Sequence, residues 1–397
     1  MASARPEQTI QELMAAAGRA LAAGDAAGAR AILEAAVARH PGHAPAWLNL
    51  AAATRAQGDL DAAMAALEAA LRLEPRNFYA LLGKAAVLER QGHARPAAVA
   101  YGVALSQAPP DERLDPGTGA ALQHGRELNG RHVAELEAFL RAALRGALDD
   151  APDPAARRAD TFIDLALRKQ PNYRQEPVEF FWPGLPAIPF YERELFPWLA
   201  DFEAATADMR DELIALIQAD AGELVPYVAY PDGIPLDQWK ELNHSLRWGA
   251  YHLMAYGERV EANCERVPKT MRAIGLLPQP QVPRRSPAAM FSVLQPRTRI
   301  PPHTGVANTR LVVHLPLIVP GDCGFRVGPE TRAWREGEAW VFDDTIEHEA
   351  WNGSDERRVI LICDVWSPFL SELDREVVTR VMTAMDEFNQ TAPEADP

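Results

Sequence analysis

The chain has 397 residues, 48% of them hydrophobic and 24% charged, a composition that supports buried cores and excludes wholesale disorder. Its length exceeds that of most single domains, so two are expected. A formal net charge of -15 excludes nucleic acid as the expected partner, because gripping a phosphate backbone takes clustered Lys and Arg that displace counterions.

The opening residues, MASARPEQ, lack a basic stretch followed by an apolar one, and no run of eighteen apolar residues follows; the expectation is a cytoplasmic protein without a membrane anchor. An offset of 34 then brings the first hundred residues into register with themselves. Gly24, Gly58 and Gly92 coincide, as do Ala29, Ala63 and Ala97; Leu33, Leu67 and Tyr101; Ala36, Ala70 and Ala104; and Pro41, Pro75 and Pro109. Small residues where two helices cross, a Gly at the turn between them and a closing Pro are the tetratricopeptide pattern, and Trp47 falls at its usual aromatic position. Each helical hairpin has an apolar face that it buries only against its neighbours. The series Val133, Leu136, Leu140 and Leu144 predicts an amphipathic capping helix within 120–148, after a loop at 108–119. The groove of such repeats offers a site for a protein or peptide partner; a spacer or dimerisation arm is the alternative. His40, His43 and His93 fall at predicted helix ends, where surface positions are expected.

DDAPDPAARR, from Asp149, reads as a boundary, followed by a short helix at Thr161–Lys169 and an amphipathic helix at Trp198–Ala219. From Ala289 onward short apolar runs alternate with Pro and Gly: MFSVL, TRLVVHLPLIV, CGFRV, EAWVF and RVILICDV. Strands with this punctuation predict an antiparallel barrel or jelly roll. Cys264, Cys323 and Cys363 show no paired spacing and are expected as buried free thiols.

Three histidines stand in this strand-rich part: His303 in PPHTG, His314 in TRLVVHL and His348 in FDDTIEHEA. Iron oxygenases hold Fe(II) through imidazoles, often with a carboxylate, and leave the other positions open. Arg358, ten residues past His348, could receive a dicarboxylate as a forked ion pair. Strand periodicity places Arg310, Val312 and His314 on one face. Asp343, Asp344, Glu347 and Glu349 bracket His348, but in an extended chain both glutamates point away from the face that His348 uses. Trp334, Trp340, Trp351 and Trp366 are expected in the core or at the rim.

The words FSVLQP, HTG, NTRLVVHLPLIVP, ETRAW, EGEAWVFDDTIEHEAW and DVWSP resemble the aspartyl/asparaginyl β-hydroxylases, Fe(II)- and 2-oxoglutarate-dependent dioxygenases. The likeness runs from about Phe180 to Phe369. It implies that His303 and His348 bind iron, that Gly305 stands where related oxygenases have an aspartate, that Ser292 and Arg358 bind the C5 carboxylate of 2-oxoglutarate, and that His314 lies near its C1 end. Where the animal enzymes have an arginine two residues before that histidine, this chain has Val312, and Arg310 is the candidate to replace it, meeting either cosubstrate or substrate. The implied cofactors are Fe(II), 2-oxoglutarate and O2, with ascorbate as a stimulating reductant, and the implied substrate is a protein, peptide or amino-acid-like molecule.

The expected fold class is thus α+β multidomain. It comprises an all-α tetratricopeptide-like solenoid with its cap (1–148), a linker with a short helix (149–175), a double-stranded β-helix (jelly-roll, cupin-like) domain with flanking helices (176–385) and a flexible tail (386–397). The competing expectation is a non-catalytic adaptor whose barrel senses 2-oxoglutarate or metal. The joint presence of His303, His348, Ser292 and Arg358 speaks against it.

Overall fold

The computed structural model describes residues 9–149, 152–219, 224–231, 233 and 235–391. The chain divides into two compact units, Met1–Lys169 and Gln170–Pro397.

In the first unit, helices α1 (Ile10–Ala22), α2 (Ala26–Arg39), α3 (Ala44–Ala56), α4 (Leu60–Leu73), α5 (Phe78–Arg90) and α6 (Ala94–Leu105) form three hairpins. The repeated glycines Gly24, Gly58 and Gly92 turn each hairpin at φ of 76°, 80° and 82°, a backbone region that a Cβ disfavours. Asp25 and Asp59 then cap the next helix through the N–H three residues on, whereas His93 at the equivalent place makes no such bond. The repeated alanines and Leu33, Leu67 and Tyr101 are all buried. His40, His43 and His93 sit at helix ends as expected.

Two helices complete this unit. The predicted loop at 108–119 ends early, because Asp115 caps α7 (Pro116–Ala143) through the N–H groups of Gly117 and Thr118, and a proline suits the first helical position. The capping contact also differs from expectation. Leu122 and Gly125 are the buried residues of α7, while Leu136 and Phe139 are exposed. The third repeat's second helix has only 12 residues, so it covers the start of the 28-residue α7 and not the apolar series further along. Helix α8 spans Asp153–Ala166, beginning eight residues before the predicted Thr161 and inside the stretch read as a boundary.

The second unit is rich in antiparallel strands. After α9 (Leu199–Ala204) and α10 (Thr206–Gln218), which break at Ala205 where one helix was expected, come β1 (Val225–Pro226), β2 (Trp248–Ala255), β3 (Glu258–Arg259), α11 (Glu261–Cys264) and α12 (Pro268–Ile274). Then follow β4 (Ala289–Leu294), β5 (Thr298–His303), β6 (Arg310–Ile318), β7 (Cys323–Val327), β8 (Glu330–Arg332), β9 (Trp340–Phe342), β10 (His348–Asn352), β11 (Arg358–Trp366) and α13 (Glu372–Thr391). Helix α13 continues past 385 to Thr391, into the predicted tail, and Arg285 forms a bidentate pair with its Asp386; residues 392–397 lie outside the described residues.

One sheet runs β1-β2-β4-β11-β6-β9 with β3 on β2, the other β5-β10-β7-β8. Side chains from both, including Leu294, Val312, Phe342 and Ile360 from the first and Ile300, Phe325 and Ala350 from the second, share one apolar cluster. The alternate residues of β6 and β11, such as Leu311, Val313, Leu361 and Val365, pack instead with Phe202, Met209 and Leu213 of the helices. Burial on both faces explains why these two strands read as continuous apolar runs. All three cysteines are buried and unbridged.

A strap at 175–182 lies along the loop that follows β5. Val178 N–H donates to the Gly305 carbonyl at 2.9 Å and Phe180 N–H to that of Val306 at 3.0 Å. The buried Asn308 amide accepts from Trp182 N–H and donates to Gln175 and to the Trp182 carbonyl. No helix of the described residues is long and apolar enough to cross a membrane.

Candidate active site

Strands β5 and β10 pair so that His303 stands directly opposite His348, with ring centroids 4.1 Å apart. The Nδ1 of His303 lies 2.8 Å from the Pro301 carbonyl and that of His348 3.1 Å from the Ile346 carbonyl. A carbonyl only accepts, so the proton sits on Nδ1 in both rings and Nε2 keeps its lone pair. Burial pushes His303 down to about 3 and His348 down to about 4, which keeps both imidazoles neutral at physiological pH. Two neutral imidazoles fixed from behind by backbone are what metal ligation needs.

A third ligand from Gly305 is sterically closed. A β-carbon there would collide with the Asp344 carboxylate, which occupies the space itself. Asp344 comes from the turn between β9 and β10, is buried, and forms an ion pair at 3.2 Å with Arg310, while its Oδ1 has no hydrogen-bond partner. Burial holds this carboxyl above its ordinary range, with Arg310 and His303 opposing that shift. Glu347 and Glu349 point elsewhere: Arg326 takes both, and Arg299 pairs with Glu349. Among the described residues no group of three or more His, Cys, Asp and Glu forms a metal cage. Two neutral imidazoles with free Nε2 lone pairs are a donor set that suits a divalent transition metal.

Behind the histidines lies Arg358, the first residue of β11 and 1% exposed. Its Nε and Nη2 have no hydrogen-bond partner, and the guanidinium stacks on Trp334 at 4.9 Å. Burial alone lowers it to about 9. Leaving a guanidinium desolvated and unpaired costs several kcal/mol, on the order of a buried broken ion pair, so the pocket is built for an anion. Ser292 lines the same cavity from the neighbouring β4, where it pairs with Ile360, two residues along β11 from Arg358. His314, on β6, packs against Phe325 and Phe342; burial and the nearby Arg358 charge lower it well below its usual value, and its Nδ1 is unpartnered.

Ser292, His303, Arg310, His314, His348 and Arg358 thus line one cleft of about 660 Å3, together with Asp344, Tyr227 and Trp248. Sequence reasoning had singled out the first six. It passed over Trp248 and discounted Asp344, whose direction is set by a turn and not by strand alternation. Trp334 and Trp340 lie in the aromatic core with Phe325.

Residues 203–368 match the family model described as Aspartyl/Asparaginyl beta-hydroxylase, and residues 20–66 match a tetratricopeptide repeat. Within the second unit the chain is thus similar to the aspartyl/asparaginyl beta-hydroxylases. Over 144 residues, 36% of this chain and 19% of the relative, it is 36% identical to the human aspartyl/asparaginyl beta-hydroxylase. It is 33% identical to the Rhizobium tropici ornithine lipid ester-linked acyl 2-hydroxylase over 186 residues, 46% of this chain and 62% of that one. With Xenopus tropicalis aspartate beta-hydroxylase domain-containing protein 2 it shares 31% over 229 residues, 55% of this chain and 60% of that one. The match thus spans less than two thirds of each relative's length.

Proposed function

We propose that the protein is an Fe(II)- and 2-oxoglutarate-dependent dioxygenase that hydroxylates an unactivated carbon of a protein, peptide or amino-acid-like substrate. The observation that carries this reading is Arg358, a buried cation whose Nε and Nη2 have no partner, in a cleft that also holds two oriented, neutral histidines. A dicarboxylate suits that arrangement: one end would neutralise Arg358 and accept from Ser292, leaving the other carboxylate for a metal held by the histidines. The hydroxylases named among the relatives support the same chemistry.

His303 and His348 would hold the iron through Nε2. When bound, the iron supplies oxygen activation coupled to oxidative decarboxylation of 2-oxoglutarate, yielding succinate, carbon dioxide and a hydroxylated substrate carbon. The chain's own part is positional. Arg358 and Ser292 fix the far carboxylate, and Arg310 orients Asp344 beside the metal-facing histidines. Phe325, Phe342 and Ile360 keep water from the reacting end.

The test is succinate release on adding Fe(II), ascorbate and 2-oxoglutarate, followed by mass spectrometry for an added oxygen on peptides and on acyl lipids in parallel. Oxygen on a peptide is the expected outcome. Oxygen on lipid alone would retain the chemistry and replace the substrate class, whereas no succinate from correctly folded protein would favour the adaptor reading.

A further inference from the structure

The indole of Trp248, on β2, donates from Nε1 to the Ser292 Oγ at 3.1 Å, and both side chains are buried. On its outer face Trp248 is stacked by Tyr227, with ring centroids 3.8 Å apart and planes 9° from parallel. Its ring also lies 6.2 Å from that of His303. Tyr227 itself lies in the segment after β1 and lines the mouth of the cleft.

The chemistry of a hydroxyl gives this contact a direction. Ser carries one O–H donor and two acceptor lone pairs, while an indole N–H only donates. With one Ser292 lone pair taken by Trp248, the hydroxyl proton turns away from the indole. No acceptor among the described residues engages it, and the neighbouring strand presents the unpaired Arg358. We propose that Trp248 is a positioning residue: it fixes the Ser292 rotor so that the O–H donates to an anion seated on Arg358, and Tyr227 clamps Trp248 in that pose. The cleft mouth and the cosubstrate end are thereby linked through two side chains. This rests on the reading of Ser292 and Arg358 as the 2-oxoglutarate anchor.

The experiment measures 2-oxoglutarate affinity by titration calorimetry on the full chain loaded with Mn(II), for wild type, Trp248→Phe, Ser292→Ala and the double variant, with thermal melts alongside. Trp248→Phe keeps the ring and removes the donor. Affinity should fall about three- to tenfold, the size of one neutral hydrogen bond, and the same substitution should cost nothing further in the Ser292→Ala background. Equal losses in both backgrounds, or none in either, would overturn the positioning role. If Ser292→Ala alone leaves affinity unchanged, it is the anchor reading that fails. Should Trp248→Phe not fold, Tyr227→Leu removes the clamp and carries the same expectation: a loss in the wild-type background and none in Ser292→Ala.

Discussion

The two units solve the packing problem in opposite ways. In the repeat unit the buried positions are mostly alanines and leucines, contacts are between neighbouring hairpins, and the principal buried polar group, Thr54, bonds back to the Leu50 carbonyl four residues before it. In the strand-rich unit Arg358, His314, His348 and Asp344 are buried, several with unsatisfied atoms. The first arrangement minimises free energy locally. The second leaves polar groups uncompensated where a ligand is to supply the missing partners, so stability and function are coupled in one unit and separable in the other.

The largest effect expected from breaking that contrast is at the histidines. His303→Ala or His348→Ala should abolish turnover and weaken Mn(II) binding by more than about a hundredfold, with the fold retained by circular dichroism. Glu347→Ala and Glu349→Ala should keep most of the activity, because both side chains are engaged by Arg326.

Next is Arg358→Met, which separates the two roles of the buried cation. Loss of the charge-assisted contact should weaken 2-oxoglutarate by roughly 2 to 4 kcal/mol, read by calorimetry. The ligand-free protein should become more stable, by about 1 to 4 kcal/mol, because an uncompensated charge has left the core. A destabilised ligand-free variant would show that Arg358 has a structural partner.

In the repeat unit, Ala36→Leu should cost about 1 to 3 kcal/mol by overpacking while leaving substrate-independent succinate production unchanged. Similarly, removing residues 1–110 should weaken action on a macromolecular substrate and spare that uncoupled turnover. A fall in uncoupled turnover of folded protein would tie the repeats to the chemistry.

The smallest effect concerns Asp343, which burial pushes up to about 6 despite bonds from Thr345 and Gln175. Its folded value lies above the ordinary 3.8. The protonated form therefore favours the fold, and that contribution is full below about 4 and lost as pH rises through 6. Asp343→Asn should flatten the decline in melting temperature between pH 4 and 6, and an unchanged slope would assign the decline to other groups.

How far the sequence disclosed all this follows from where regularity lies. The repeats were legible because the same residue types recur every 34 positions, and β6 and β11 because burial on both faces leaves unbroken apolar runs. Strands β5 and β10, which carry the two histidines, were not delimited: Pro301 and Pro302 break the strand signature of β5, and β10 has only five residues. The break at Ala205 and the exposed stripe of α7 depend on what packs nearby, which periodicity does not encode. The histidines and Arg358 were picked out by their order along the chain and Ser292 by the family resemblance, whereas the link from Trp248 to Ser292 joins strands more than forty positions apart.

The strap at 175–182 has a practical consequence for anyone wishing to study the chemistry in isolation. The family match begins at residue 203, and a fragment cut there would discard the partners of the Gly305 and Val306 carbonyls and the bonds that hold Asn308. The turn following His303 would then be left to water, although both histidines of the candidate site would still be present. One that starts at Gln170 keeps those bonds, so the lower limit of a self-sufficient second unit is drawn by hydrogen bonds rather than by sequence similarity.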